Sequence, residues 1–218
     1  MKIQRAYDLL IRGFRRRRMN RFAEVFRPTA ETTVLDVGGT SYNWEQIGAK
    51  FPITLLNTVP LESDGLDAHF TLVQGSGTQL EFADRSFDIA FSNSVIEHVG
   101  PLEVQRAFAK ELCRVGRQVW VQTPARNFFF EPHLLAPFIH FLPLSWQRRV
   151  VRNFSLWGWL TRPSQASVDR MLEGLRLLDY ATFRSLFPDC EIRRERFLGF
   201  TKAFVAVRIE ARKAPLFE

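Results

Sequence analysis

The chain has 218 residues, of which 46% are hydrophobic and 24% are charged, and its formal net charge is +7 at pH 7. This length is sufficient for one domain with a complete hydrophobic core. No segment approaches the roughly 18 uninterrupted apolar residues of a membrane-spanning helix, and the basic first residues lack the apolar stretch of a secretory signal. The two cysteines, Cys113 and Cys190, have no metal-binding spacing and suggest no disulfide framework, so we expect a cytoplasmic protein.

The positive charge is concentrated at the beginning of the chain. Residues 1–27 hold nine basic and two acidic residues, which leaves 21 basic and 21 acidic residues in 28–218. Apolar residues at mostly helical spacing, with arginines between them, predict a helix over 3–26. We interpret residues 1–27 as a basic amphipathic arm that packs over the sheet edge or the mouth of a ligand site. The alternative is a surface that binds anionic lipid head groups or nucleic acid.

A short apolar run predicts the first strand at residues 33–38, and Gly38 and Gly39 follow it at once. Glycines at this point let the chain turn sharply and let a ligand approach bare backbone. Ligands of open α/β sheets bind at the carboxyl ends of the strands, so this stretch predicts a ligand site. The run 38–43 has no third glycine, which argues against a dinucleotide site of the G-x-G-x-x-G type.

The following segments alternate between helical and extended patterns. We predict helices at 44–50, 95–99, 102–115, 167–180 and 182–187, and strands at 53–57, 70–74, 87–92, 117–123, 191–197 and 202–209. An aromatic-rich insertion occupies about residues 124–163, after the fifth strand. It predicts a helical cap, a lid that forms an apolar pocket and leans on a membrane surface, or both.

Three stretches resemble the class I S-adenosylmethionine-dependent methyltransferases, in particular their type 11-like domains. Residues 34–40, Val-Leu-Asp-Val-Gly-Gly-Thr, are similar to the family's first motif, which is close to V-L-D-V-G-C-G-T-G. Residues 75–88 resemble the family's G-D-A/G-x-x-L-P-F-x-D-x-S-F-D, and residues 92–99 resemble the segment after its fourth strand. The resemblance covers roughly residues 30–125 of the chain.

This resemblance implies a fold, a domain and a cofactor. The expected fold is α/β, a Rossmann-like, doubly wound, mostly parallel seven-stranded sheet with a C-terminal antiparallel hairpin and the helical insertion after strand 5. The methyltransferase domain would span residues 28–218, and its cofactor would be S-adenosylmethionine.

The resemblance also implies a set of cofactor-binding residues at the strand ends. Two of them depart from the family pattern: Asn57 stands where an acidic residue usually binds the ribose hydroxyls, and Ser76 where an Asp often binds the adenine amino group. A neutral amide or hydroxyl can accept a hydrogen bond but lacks the charge-assisted contact. The full predicted set is Asp36, Gly38, Gly39, Thr40, Asn57, Gly75, Ser76, Gly77, Ser92 and Asn93.

Two histidines flank the expected site, His98 after strand 4 and His133 after strand 5. Because the pKa of histidine lies near neutrality, either one is a candidate general base, and the alternative for each is a structural role. Glu97-His98 also resembles the E-x-x-E-H metal signature of some O-methyltransferases, with Ser94 in place of the first Glu. We therefore predict no metal, since Glu131 or His133 would have to complete such a site.

The sequence lacks the marks of two other methyltransferase classes. Residues 92–95 do not form the [DNS]-P-P-[YFW] segment of enzymes that methylate base amino groups, and neither cysteine lies in the Pro-Cys context of pyrimidine carbon-5 enzymes. We expect methyl transfer to a small, apolar or lipid-linked acceptor, at oxygen. The alternatives are an RNA or protein methyltransferase that docks through the arginine arm, and a non-catalytic scaffold with the same fold. As partners we expect the acceptor and an anionic membrane surface rather than nucleic acid.

Overall fold

A computed structural model describes residues 2–210, and for residues 2–12 it describes the backbone alone. Four of the apolar residues whose spacing predicts the helix over 3–26 lie outside the described side chains: Ile3, Tyr7, Leu10 and Ile11. Residues 211–218 of the predicted domain lie outside the described residues. The described elements, in chain order, are α1 Lys2–Phe26, β1 Val34–Val37, α2 Ser41–Glu45, β2 Ile53–Asn57, β3 Phe70–Gln74, β4 Phe87–Asn93, α3 Leu102–Val115, β5 Gly116–Pro124, β6 Phe130–Glu131, β7 Ala136–Pro137, α4 Leu144–Phe154, α5 Leu156–Thr161, α6 Gln165–Gly174, α7 Tyr180–Leu186, β8 Glu191–Phe197 and β9 Phe200–Arg208.

Seven strands form one sheet in the order β3-β2-β1-β4-β5-β9-β8. Strands β1 to β5 are parallel, β9 pairs antiparallel with β5, and β8 pairs antiparallel with β9. The order reverses between β1 and β4, and the carboxyl ends of these two strands form the edge where such sheets bind ligands. This topology confirms the predicted fold class.

Apolar residues cover both faces of the sheet, as parallel strands require. Along β1 the side chains alternate, with Leu35 and Val37 packed in the core beneath α3 and α7 and Val34 packed in the core beneath α1 and α2. Asp36 shares the face of Val34 and is fully buried. A carboxyl group therefore lies inside the apolar layer, two residues before Gly38.

The second half of α1 belongs to the core. Phe22 is fully buried, and its ring contacts those of Trp44, Phe91 and Trp120 at centroid distances of 5.4, 5.4 and 5.8 Å. Edge-to-face contacts of this kind add to the stabilisation from burial. This part of the predicted arm packs on the sheet together with α2.

Two helices, α2 and α6, differ from the predicted spans by more than two residues at one or both ends. Helix α2 begins directly after Thr40 and ends at Glu45, and the left-handed Gly48 (φ +58°) follows it. Helix α6 ends at Gly174, whereas the pattern predicted a helix to residue 180. Residues 175–179 instead hydrogen-bond to loops of the sheet, with the Arg176 N–H donating to the Glu97 carbonyl and the Arg126 N–H donating to the Leu178 carbonyl.

The insertion forms a cap with a small core of its own. Helix α4 and the β6–β7 hairpin of the insertion pack with α6, which follows the insertion, and together they bury six apolar residues: Leu134, Ala136, Ile139, Val151, Val168 and Leu172. Among the residues that the structure describes, no helix has the length and apolar character needed to span a bilayer.

Candidate active site

The loop after β1 makes a turn that only glycine accommodates easily. Gly38 has a φ of +80°, and its N–H donates to the Leu56 carbonyl of β2 at 2.8 Å. A Cβ at Gly38 would lie 2.6 Å from a methyl group of Val95. The loop is therefore held between the ends of β2 and β4, with bare backbone at the sheet edge.

Asp36 lies directly beneath this loop. Its Oδ2 accepts a hydrogen bond from the Trp44 indole N–H at 2.8 Å, and a Cβ at Gly39 would lie 1.9 Å from the same oxygen. The other oxygen, Oδ1, is buried and has no partner among the described residues. Burial raises the pKa of Asp36 to about 7, although the Trp44 hydrogen bond opposes the shift. An unpaired buried carboxyl oxygen suits a cationic ligand group such as the ammonium of methionine.

Backbone and side-chain hydrogen bonds join the loops after β1, β2 and β3 into one surface. The Asn57 side-chain N–H donates to the Gly39 carbonyl at 2.9 Å, and the Gly75 N–H donates to the Asn57 carbonyl at 2.9 Å. The Asn57 amide oxygen accepts no hydrogen bond from the described residues. That oxygen can therefore accept from a ribose hydroxyl, which is the role predicted for this residue.

The segment after β3 combines a polar and a packed residue. Ser76 is exposed and shares a hydrogen bond with Thr78 at 2.8 Å. At Gly77 a Cβ would lie 2.5 Å from the Phe108 ring and 2.6 Å from Val37. Core packing therefore requires glycine at this position, whatever the segment binds.

The predicted residues at the end of β4 use their polar groups inside the protein. The buried Ser92 hydroxyl donates to the Val37 carbonyl at 2.9 Å, which ties β4 to β1 at the point where the strand order reverses. The Asn93 side-chain oxygen accepts from Arg18 at 2.7 Å. Thr40 is exposed, and its side chain makes no capping hydrogen bond at the start of α2. The cofactor roles of these three residues stay predictions.

The structure brings the two predicted catalytic histidines into contact. His98 Nε2 and His133 Nε2 are 3.1 Å apart, although 35 residues separate them in the chain. His133 Nδ1 lies 2.7 Å from the buried Glu131 carboxylate, which also accepts from the backbone N–H groups of His133 and Leu134. Because that carboxylate is an acceptor, we assign the neutral His133 its proton on Nδ1 and its lone pair on Nε2.

Burial and neighbouring charges shift the pKa values of this cluster in opposite directions. Burial alone would lower the pKa of His133, but the hydrogen bond to Glu131 and the charges of Glu131 and Glu97 outweigh burial and raise that pKa above its usual value. The pKa of His98 is lowered by partial burial and by the neighbouring His133. Burial raises the pKa of Glu97 to about 7. Contact between a histidine with a raised pKa and a histidine with a lowered pKa favours proton transfer near neutral pH.

The same cluster contains a candidate set of metal ligands, and its residues are those that the sequence analysis named for such a site although it predicted no metal. One ligand atom each from Glu97, His98 and His133 lies within 4.8 Å of the other two. Glu97 Oε2 accepts from the Thr123 hydroxyl at 3.0 Å, whereas Oε1 is buried without a partner among the described residues. Two imidazoles and a carboxylate suit a transition metal such as Zn²⁺ or Mn²⁺ better than Mg²⁺.

A cavity of about 360 Å³ opens beside these groups, at the carboxyl ends of β4 and β5. Ser94 and Gln122 line it on the sheet side, and Glu131 and His133 line it from the loop after β5. Five phenylalanines make most of its apolar wall: Phe14, Phe128, Phe129, Phe130 and Phe197. The cavity is therefore mainly apolar, with two histidines, His133 and His140, and a few other polar or charged groups in its wall.

Arg18, Lys202 and Glu131 belong to this site, and the sequence analysis did not assign them. The Arg18 guanidinium makes a bidentate contact with Glu195, at 2.8 and 2.7 Å, and donates to Gln122 at 2.9 Å. Glu131 had a signal in the sequence, because it stands two residues before His133 in a loop at the active face. Arg18 and Lys202 had no local signal that distinguished them from solvated basic residues.

Comparison with known proteins agrees with this arrangement. Residues 54–118 match the family model of the methyltransferase domain, a region that runs from β2 into β5. A magnesium protoporphyrin IX methyltransferase from Synechocystis PCC 6803, solved with S-adenosylhomocysteine, superimposes with a TM-score of 0.56 and 12% identity, over 95% of this chain and 87% of that chain. The chain has the fold of the class I S-adenosylmethionine-dependent methyltransferases.

Two further solved structures superimpose on the chain. Phosphoethanolamine N-methyltransferase 2 from Haemonchus contortus, solved with S-adenosylmethionine, has a TM-score of 0.52 and 13% identity, over 82% of this chain and 38% of that chain. A Rhodobacter sphaeroides protein with the provisional name of a zinc-dependent alcohol dehydrogenase has a TM-score of 0.59 and 14% identity, over 88% and 87%. At these identities the structures show the fold alone. No curated protein matches the sequence.

The family match and the fold confirm the predicted resemblance and the predicted fold class. They agree with the predicted enzyme class, a methyltransferase, and with the predicted cofactor, S-adenosylmethionine. Three groups at one edge of the sheet would suit this cofactor. They are the bare backbone at Gly38, the Asp36 Oδ1 and the Asn57 side-chain oxygen, and neither oxygen has a hydrogen-bond partner among the described residues.

Proposed function

We propose that the protein transfers a methyl group from S-adenosylmethionine to a hydroxyl oxygen of a small, apolar or lipid-linked acceptor, and that it acts in the cytoplasm. One observation carries the proposal. The aromatic cavity adjoins the carboxyl end of β4, where the cofactor is expected, and the His133–Glu131 pair lies in its wall.

The chain's own residues would contribute orientation and proton transfer. The cavity would position the acceptor oxygen for attack on the methyl group that the cofactor would supply, and such positioning can supply about 7–11 kcal/mol of a reaction barrier. His133 Nε2, which lies 3.1 Å from His98 Nε2, would accept the hydroxyl proton once the acceptor hydroxyl displaces His98. Glu131 would keep the opposite proton on Nδ1 and stabilise the resulting imidazolium. General-base assistance of this kind is worth roughly 10²–10⁴-fold in rate.

Exposed apolar rings around the cavity support a lipid-linked acceptor. Phe138 and Phe200 are 61% and 56% exposed, and both contact Phe129 of the cavity wall, at centroid distances of 6.2 and 5.3 Å. Trp146 and Trp159 of the cap are 59% and 57% exposed. An apolar surface next to an apolar cavity is typical of proteins that take ligands from a lipid phase.

The test has a binding step and a turnover step. Isothermal titration should show binding of S-adenosylhomocysteine, and a panel of phenols and long-chain alcohols should show S-adenosylhomocysteine release with at least one acceptor. His133→Gln and Glu131→Gln should slow release by 10²-fold or more while cofactor affinity is retained. His69→Gln is the matched control, because His69 lies outside the cavity. Absence of cofactor heat would contradict the proposal at its first step.

A metal-assisted form of the same reaction is the second candidate, and the Glu97–His98–His133 group favours it. Turnover that is lost on dialysis against a chelator and restored by Mn²⁺ or Zn²⁺ would identify this form. Unchanged turnover after chelation would assign the proton transfer to the His133–Glu131 pair alone.

The arginine arm remains a proposed docking surface. Arg15, Arg16 and Arg17 are exposed, whereas Arg18 is buried. Changing the three exposed arginines to Gln should abolish binding to vesicles that contain phosphatidylserine. If these changes instead abolish a steeply salt-dependent affinity for RNA, the docking alternative is favoured. A non-catalytic scaffold is the remaining alternative, and cofactor binding with turnover on any acceptor would eliminate it.

A further inference from the structure

Lys202 places an ammonium group in the wall of the aromatic cavity. It lies in β9, and its Nζ sits 3.4 Å from the centroid of the Phe14 ring. Phe14 in turn packs edge to face on Phe197, at 5.3 Å, and both rings line the same cavity. The cation–π contact fixes the ammonium at an apolar surface instead of directing it to bulk water.

Two other charged groups of this wall, Arg18 and Glu131, already have partners, and the exposed Arg15 guanidinium lies over the Tyr42 ring at 5.5 Å. Arg18 directs its guanidinium to Glu195, Asn93 and Gln122. The Glu131 carboxylate accepts from His133 and from two backbone N–H groups. Within residues 13–210, by contrast, no carboxylate forms an ion pair with Lys202, because Arg18 occupies both oxygens of the nearby Glu195.

The protonation behaviour of Lys202 agrees with this lack of a partner. Burial, with a smaller effect from the charge of Arg18, lowers the pKa of its ammonium to about 8, and the charge of Glu195 opposes the shift only in part. A negatively charged ligand group would supply a counter-ion for the Lys202 ammonium. Such pairing would offset the free-energy cost of burying that charge.

We propose that Lys202 is an anion-binding group of this cavity, and that the cavity takes an apolar molecule that carries one carboxylate or phosphate group. The phenylalanines contact the apolar body, and Lys202 Nζ binds the anionic oxygen. That this ligand is the methyl acceptor rests on the function proposed above, whereas the anion site itself does not depend on methyl transfer.

The test uses displacement of a neutral fluorescent probe, N-phenyl-1-naphthylamine, from the full-length protein. Decanoate, decyl phosphate and decanol are compared as competitors, because they share an alkyl chain and differ in charge. In the wild-type protein the better of the two anions should displace the probe on the order of tenfold more effectively than decanol, as expected for a hydrogen bond to a charged group. The comparison between decanoate and decyl phosphate distinguishes a carboxylate ligand from a phosphate ligand.

Lys202→Met should remove the preference for the anions and leave the affinities for the probe and for decanol unchanged, which also shows that the variant is folded. Lys110→Met, on the exposed outer face of α3, is the matched control and should keep the preference. Equal competition by decanol and both anions in the wild-type protein would overturn the proposal, as would an unchanged preference in Lys202→Met or the absence of probe binding. If Lys202→Met loses the preference for the anions and the wild-type protein binds no S-adenosylhomocysteine, the anion site is supported and the proposed function is refuted.

Discussion

Replacement of Asp36 by Asn tests whether the buried carboxyl group is protonated in the free protein and binds the cofactor. The carboxyl group is fully buried, Trp44 satisfies one of its oxygens, and its pKa is raised by burial from 3.8 to about 7. In the unfolded chain this group ionises near pH 4, whereas in the free folded protein it keeps its proton to about pH 7. A difference of about three pKa units corresponds to about 4 kcal/mol.

The sign of the effect follows from proton counting. Between pH 4 and pH 7 the folded protein binds one proton more at Asp36 than the unfolded chain does, so this group stabilises the fold most at low pH. That contribution is lost as the pH rises through 7. The asparagine of the variant does not ionise, and its amide oxygen can still accept from Trp44. The stability of Asp36→Asn relative to the wild type should therefore increase by about 4 kcal/mol between pH 4 and pH 8.

Urea unfolding of both proteins at pH 4, 5, 6, 7 and 8 measures this difference. The subtraction removes the contributions of Glu97 and His133, whose raised pKa values act equally in both proteins. Asp64→Asn is the matched control, because it removes a carboxyl group at an exposed position in the same assay. A stability difference between Asp36→Asn and the wild type that does not change between pH 4 and pH 8 would refute the reasoning.

The same variant should also bind the cofactor differently. If the methionine ammonium pairs with Asp36, binding must ionise the carboxyl group and release a proton near pH 6.5. Titrations with S-adenosylhomocysteine in phosphate and in Tris should then give different heats for the wild type. Asp36→Asn should show weaker binding and no proton release, because its amide cannot carry the charge.

Three further predictions concern the glycine loop, helix α1 and the proposed base. Gly39→Ala should lower the free energy of unfolding by about 1–3 kcal/mol and abolish S-adenosylhomocysteine binding, since its Cβ would overlap the buried Asp36 carboxyl group. Gly13→Ala is the control, because a Cβ there meets nothing within 4 Å, and it should stabilise the protein by about 0.5–1 kcal/mol in urea unfolding. Arg18→Met should destabilise the protein by about 3–5 kcal/mol in the same assay, because it leaves the Glu195 carboxylate buried without its cation, and a loss below about 1 kcal/mol would contradict this. The rate of methyl transfer should rise with pH through an apparent pKa above 6.5, since His133 must be neutral to act as base and its pKa is raised; a rate that falls with pH over this range would exclude that role.

The local sequence determined where the strands lie and where the chain turns. Apolar runs at 33–38, 53–57, 70–74 and 87–92 predicted β1 to β4 within one residue at most ends, because parallel strands covered on both faces are almost continuously apolar. The glycines after β1 indicated which edge of the sheet binds a ligand, because a positive φ and the close approach of a ligand to the backbone are local requirements. These features need no knowledge of distant residues.

The tertiary structure alone decided which polar groups meet. His98 and His133 are in contact only because β4 and β5 are adjacent in the sheet, so that the loops after them share one edge. Of four consecutive arginines, Arg18 is buried against Glu195, a residue 177 positions away, and no local pattern distinguishes it from its three exposed neighbours. Gly77 is explained by Phe108 and Val37, which reach it from α3 and β1.

The helix predicted to residue 180 failed for the same reason. Its pattern after Gly174 is compatible with a helix, but the backbone of residues 175–179 pairs with the loops after β4 and β5 instead. Side-chain periodicity fixes the faces of an element, and the sequence could therefore determine strands, turns and the ligand edge. The partners of a buried charge or an exposed backbone segment depend on strand order and on contacts across the chain, and only the folded structure decided those.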